Sequence, residues 1–135
     1  MEIRNKNNFE DAKKIREQVF MIEQGFENEF DAIDSKAIHI TAYQDGKPIG
    51  CARTFCLDNP KEVHIGRLAV LKPYRKQGIG RILVLACEQQ YEKVDFVLSA
   101  QCRVQKFYES LGYEPRGDVY LDETVPHIEM IKKCN

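Results

Sequence analysis

The run from Leu68 to Gln90 restricts the fold more than any other stretch of the 135-residue chain. A strand signal, Leu68-Ala69-Val70-Leu71, passes through Lys72-Pro73 into a turn holding Gly78 and Gly80. A helix follows, with Ile79, Ile82, Leu83, Ala86 and Gln90 along one side. Val94 to Ala100 is then apolar on both faces, which suits a strand buried in the middle of a sheet. A strand–helix–strand unit of this kind needs helices on the sheet to cover its apolar faces.

The flanking segments extend that sheet on both sides. Asn7 and Asn8 are candidate N-caps for a first helix with Phe9, Ala12, Ile15 and Val19 on its apolar side. Residues 37–43 alternate, Ile38, Ile40 and Ala42 on one face and His39, Thr41 and Tyr43 on the other. Asp45-Gly46 then signals a hairpin into a second strand from Pro48 to about Leu57. A third strand, Val63 to Leu71, places Val63, Ile65, Ala69 and Leu71 on its apolar side, with Arg67 interrupting them. Alternation puts His64 on the side of Gly66 and Leu68. Near the C-terminus, Val104, Phe107, Tyr108 and Leu111 have helical spacing, and Gly112 sits where a C′ glycine belongs. Short strands near Val119–Leu121 and Ile128–Lys132 close the chain. The expectation is a single domain over 1–135. Its class is α/β (or α+β): a mixed sheet with helices packed on both faces.

Charge and cysteine content exclude several functions. Lys and Arg total 20 against 21 Asp and Glu, so the chain lacks the basic excess of a non-specific nucleic-acid binder. The longest apolar run, Ile82 to Cys87, is far short of the ~20 residues a membrane helix needs. Met1-Glu2-Ile3-Arg4-Asn5-Lys6 has no apolar signal-peptide core. Five cysteines form no Cys-x-x-Cys pair, so neither a disulfide framework nor a zinc site is indicated, and a cytoplasmic location is expected.

The glycine turn carries the chemistry. A strand running through it into a helix aims unpaired backbone N–H groups at one point, where the helix dipole also favours an anion. From Val63 to Cys87 there are five bases, Arg67, Lys72, Arg75, Lys76 and Arg81, and no acid. Cations at a helix start oppose the dipole, and a bound anion would reverse that cost. A solvated basic turn is the other reading these residues allow. A dinucleotide fingerprint would need glycine at Leu83, and no P-loop motif occurs anywhere.

Arg75-Lys76-Gln77-Gly78-Ile79-Gly80 resembles the Gln/Arg-x-x-Gly-x-Gly/Ala signature of the GNAT acetyltransferases, with a strand before it and a helix after it. Ala100-Gln101 and Phe107 to Tyr113 resemble the end of that fold's fifth strand and its fourth helix. Val19 to Phe26, Asp31 to Asp34 and Pro126-His127-Ile128-Glu129-Met130 resemble a small bacterial branch, the ElaA/YjcF-like proteins. The resemblance covers nearly the whole chain, and it implies that family's fold: a mixed, mostly antiparallel central sheet of six to seven strands with about four helices packed on both faces. It implies an acetyl-CoA-dependent N-acetyltransferase that moves acetyl to a primary amine by direct attack in a ternary complex, with no metal. A non-catalytic CoA-binding or sensor module with the same fold is the alternative, and an interaction domain without a cofactor ranks below both.

Carried over by position, backbone amides of Gln77, Gly78, Ile79, Gly80 and Arg81 would hold the pyrophosphate, with Arg75 and Lys76 nearby. Leu68, Ala69 and Val70 would pair with the pantetheine arm as an added strand, where the fourth and fifth strands splay, and Gln101 would lie beside it. Tyr108 matches the tyrosine that protonates the leaving thiolate, and a core aromatic role is compatible with that. For the base, three residues are candidates, His64, His127 and Glu23, and a water chain without a dedicated base is the remaining alternative. Cys102 has no basic partner at a defined spacing and reads as a small hydrophobe. From Met21 to Ser35 there are five acids, Glu23, Glu27, Glu29, Asp31 and Asp34, and no base. In the family this stretch walls the acceptor site, so a cationic small-molecule or peptide amine is expected. The last strand, as an exposed sheet edge, would offer a route to a homodimer.

Overall fold

The computed structural model describes residues 1–134. Seven strands form one sheet in the order β1-β2-β3-β4-β5-β7-β6. They are β1 (Glu2–Arg4), β2 (Ile38–Gln44), β3 (Lys47–Cys56), β4 (Glu62–Val70), β5 (Asp95–Gln101), β6 (Glu114–Asp122) and β7 (Val125–Lys132). Every neighbouring pair is antiparallel except β4 and β5. Helix α1 (Phe9–Arg16) lies on one face, with Ala12, Ile15 and Val19 buried together with Cys51 and Ala69. Helix α2 (Ile79–Glu88) lies on the other, where Ile79, Leu83 and Val84 meet Ile40, Ala42, Ala52 and Ile65. Gly50 lets α2 approach β3. A Cβ there would stand 2.9 Å from Leu83 Cδ1 and 3.1 Å from the Ala69 carbonyl oxygen. Helix α3 (Gln105–Glu109) adds Tyr108 to the α2 side. The expected architecture is the observed one, with three α-helices rather than four.

Several local expectations change. Strand β1 was not expected, and β2 is buried on both faces instead of one. Asn8 does not cap α1 with its side chain. Its Nδ2 donates instead to the His39 carbonyl at 2.7 Å and to Thr41 Oγ1 at 2.9 Å, stitching the helix start to β2. The helix continues past Arg16 as a π-turn over Glu17–Glu23, where the Gln24 N–H reaches back to the Val19 carbonyl. The last strand, β7, is not an edge: β6 covers it, and the edges are β1 and β6.

Strand β4 departs from simple alternation in a way that shapes the site. Cys51 and Arg53 on β3 pair with Ala69 and Gly66 on β4, so β4 carries one extra residue between them. Arg67 takes up the excess with a φ of 51°. The bulge exchanges the faces of everything after it. Val63 and Ile65 face the α2 core, whereas Ala69 and Leu71 face α1. Leu68 therefore joins the side of Val63 and Ile65, and His64 points away from Leu68, contrary to the alternation reading.

Candidate active site

Strands β4 and β5 pair only from Glu62/Asp95 to Ile65/Leu98. Beyond that point they part, and a cavity of about 920 Å³ opens between them. Its floor at one end is the start of α2. The first intrahelical bond runs from the Ile82 N–H to the Gly78 carbonyl at 3.1 Å. Backbone N–H groups of residues 76 to 81 consequently have no acceptor among the described residues. Gly78 has a φ of 80°, a conformation in which a side chain is strained, and nothing lies within 4 Å of where its Cβ would be. The basic residues Lys76 and Arg81 of this turn also line the cavity, as does Arg103. An open, positively charged cradle of unpaired amides fits a pyrophosphate.

The expected cofactor residues divide. Leu68, Val70, Lys76, Gly78, Ile79, Gly80 and Arg81 line the cavity, as do Gln101 and Tyr108. Ala69 does not, because the bulge turns it under α1. Gln77 does not line it either, and its side chain lies 3.5 Å from the Pro73 carbonyl. Arg75 lines the wall but is committed elsewhere: its guanidinium grips Glu23 at 2.6 and 2.7 Å and the Val70 carbonyl at 2.8 Å.

Further along, Tyr108 from α3 is 8% exposed. Its ring meets Phe107 and Tyr113 edge-on, with centroids 5.0 and 6.1 Å away. The hydroxyl has no hydrogen-bond partner among the described residues. Among the described residues, the one fully buried side-chain nitrogen or oxygen left without a partner is Arg53 Nε, so the Tyr108 hydroxyl opens to the cavity. Burial pushes its pKa well above the ordinary tyrosine value, and the group stays protonated at neutral pH.

The three base candidates separate by position. His127, from β7, lines the cavity and is buried, stacked on Tyr120 with centroids 5.9 Å apart. Its Nδ1 lies 2.8 Å from the Val125 carbonyl. A carbonyl can only accept, so Nδ1 carries the proton, and Nε2 of the neutral ring is left with the lone pair. His64 is outside the cavity, stacked flat on Phe55 at 5.2 Å, 3.7 Å from Glu62. Glu23 is also outside, and the hydrogen bonds from Arg75 hold its carboxyl below the ordinary range. Cys102 is half-buried against the core, as a small hydrophobe would be.

The acidic run from Glu23 to Asp34 is not an open wall. Arg16, 1% exposed, holds Glu29 at 2.7 Å and Asp34 at 2.8 Å. Arg53 holds Asp31 at 2.7 Å and Asp34 at 2.8 Å, and Arg67 reaches Glu29 at 3.1 Å. Four of the five acids, Glu23, Glu29, Asp31 and Asp34, are therefore spent on arginines. Each buried guanidinium needs carboxylates to offset its desolvation. Among the described residues, the cavity carboxylates without a cationic partner are Asp122 and Glu123, at the β6–β7 turn. The linear sequence shows them only as turn residues before Pro126-His127. Gln24 enters as well, accepting from Gln101 Nε2 at 2.9 Å across the cavity.

Comparison with known proteins agrees with this geometry. A family model described as an acetyltransferase (GNAT) domain matches residues 7–134. The chain is 33% identical over 135 residues to the uncharacterized N-acetyltransferase YjcF of Bacillus subtilis, covering 96% of this chain and 95% of that one. Escherichia coli ElaA superposes with a TM-score of 0.86 at 25% identity, over 98% and 99% of the two chains. An acyl-CoA N-acyltransferase from Pseudomonas aeruginosa gives 0.83 at 26% identity, over 97% of each.

Proposed function

We propose, for a chain that belongs to the GNAT acetyltransferase family and is an acetyl-CoA-dependent N-acetyltransferase, that it acts as one catalytic domain on a positively charged primary amine, which attacks acetyl-CoA directly in a ternary complex. The observation that carries this reading is the single cavity joining the unpaired amides of α2, Tyr108 and His127 along the gap between β4 and β5.

Each end has its own chemistry. The amides at 76–81, with Lys76 and Arg81, suit the pyrophosphate, and the open edge of β4 at Leu68–Val70 suits the amide-bearing arm. Bound acetyl-CoA supplies an activated thioester acyl group. His127 Nε2 takes a proton from the incoming ammonium, and the Nδ1 bond to Val125 supports it as the base in preference to His64 and Glu23. Tyr108 Oη, protonated and without a partner among the described residues, gives a proton to the sulfur as the C–S bond breaks, and the second proton shed by the newly acylated nitrogen restores the tyrosine. Asp122, without a cationic partner among the described residues, is the counter-charge that favours an ammonium over a neutral or anionic acceptor.

Acetyl transfer to n-hexylamine, cationic at neutral pH, against aniline, which is neutral there, tests the reading. Wild-type protein should prefer n-hexylamine, and Asp122→Asn should raise its KM by about tenfold, the equivalent of one weakened charge contact. Acetyl-CoA affinity should not change. Equal KM values in wild type and variant would refute the role of Asp122. Acetyl-CoA binding without turnover of any amine would favour the non-catalytic alternative.

A further inference from the structure

The acceptor end of the cavity is assembled from two segments nearly a hundred residues apart. Phe26 and Asn28 come from the loop after the π-turn, and Asp122, Glu123 and His127 come from the β6–β7 hairpin. The loop is anchored at both ends. Phe26 donates its N–H to the Phe20 carbonyl at 2.8 Å, and the two rings meet edge-on at 6.4 Å. At the other end, Arg16 holds the Glu29 carbonyl at 3.0 Å and its carboxylate at 2.7 Å. Between these anchors the backbone N–H groups of Glu27 and Asn28 have one acceptor among the described residues. It is the Glu123 carboxylate, at 2.9 and 3.4 Å.

The hairpin is strained where it makes this contact. Glu123 and Thr124 have φ of 46° and 70°, the conformation of a two-residue primed turn that ordinarily takes Asn-Gly. Non-glycine side chains are strained in that conformation. Glycine would relieve the strain at position 123 but would supply no carboxylate for the loop.

Resting on the reading of this end as the amine site, we propose that Glu123 is a positioning residue that clasps the Phe26–Glu29 loop to the β6–β7 hairpin. The clasp sets acceptor affinity rather than the chemical step. It makes one wall from two segments that otherwise meet the amine independently, so its loss acts on amine binding. The cradle at α2, Tyr108 and His127 stay in place.

The test combines kinetics with backbone amide hydrogen exchange on wild type, Glu123→Ala and Glu123→Gln. The hairpin tip is exposed, so the variants should fold, and an unchanged acetyl-CoA thermal shift checks this. In Glu123→Ala the KM for n-hexylamine should rise roughly five- to tenfold, as expected for one exposed charge-assisted contact. The kcat should stay within twofold, and exchange at Glu27 and Asn28 should quicken. Glu123→Gln keeps one acceptor oxygen and should fall between. An unchanged KM, a parallel loss of kcat and acetyl-CoA affinity, or unchanged exchange at Glu27 and Asn28 would overturn the proposal. Should wild type fail to acetylate n-hexylamine, the cationic-amine reading falls by itself. Exchange at the two amides then decides the clasp: faster in Glu123→Ala supports it, unchanged refutes it.

Discussion

Replacing Tyr108 by Phe removes one oxygen from the middle of the cavity and nothing else. The ring keeps its edge contacts with Phe107 and Tyr113 and its place in the core. Because the hydroxyl makes no hydrogen bond among the described residues, its loss strands no donor or acceptor there, and stability should change by less than about 1 kcal/mol. For a domain of this size that is a Tm shift of no more than roughly 5 °C. Turnover should respond very differently. A positioned general acid contributes typically about 10²- to 10⁴-fold, so kcat should drop by that factor. The hydroxyl is held protonated across the neutral range, so the deficit should be nearly constant from about pH 6 to pH 9. The assay follows CoA thiol release from acetyl-CoA with the best amine substrate, alongside thermal unfolding and calorimetric titration of acetyl-CoA. The acid role is refuted by a kcat within threefold of wild type. A Tm loss well beyond 5 °C would instead show that the hydroxyl has a structural partner.

Two further predictions concern the arginine network. Arg16→Met should destabilise the fold by about 3–5 kcal/mol in urea unfolding, because it takes the buried guanidinium from Glu29 and Asp34 and leaves each buried carboxylate with one arginine, Arg67 or Arg53, in place of two. A loss below about 1 kcal/mol would contradict this. Acid should weaken the same network. Burial pushes the Asp34 carboxyl up, but hydrogen bonds from Arg16 and Arg53 outweigh it and hold the pKa at about 2, below its ordinary 3.8. A depressed carboxylate pKa stabilises the fold above the unfolded value, and that contribution is lost as pH falls from about 4 towards 2. Asp31, bonded to Arg53, shifts in the same direction. Glu29 is raised, chiefly by burial, and so contributes with the opposite sign. Urea unfolding at pH 5, 4 and 3 should show a steeper loss for wild type than for Asp34→Asn, and parallel losses would sink the assignment.

Much of the fold and half of the site can be read along the chain, because both depend on local chemistry. Period and turn signals place β2 to β5 and α2 within a residue or two, since apolar spacing and Asp45-Gly46 act over short distances. The Gly78-Ile79-Gly80 turn likewise declares an anion cradle, because unpaired amides at a helix start follow from the backbone alone. The bulge at Arg67 cannot be read that way. One extra residue is tolerated only because β3 and the α1 face accept the exchanged register, and this excludes His64 from the cavity and brings in Leu68. The acidic run misleads for a related reason. Whether Glu23, Glu29, Asp31 and Asp34 face solvent or guanidinium depends on Arg16, Arg53, Arg67 and Arg75, 13 to 52 residues away for the bonds that decide it. Local sequence determined which groups were available for chemistry. Only tertiary packing decided which charges cancel and which, like Asp122 and the Glu123 clasp, remain at the cavity, because pairing depends on distance in space rather than along the chain.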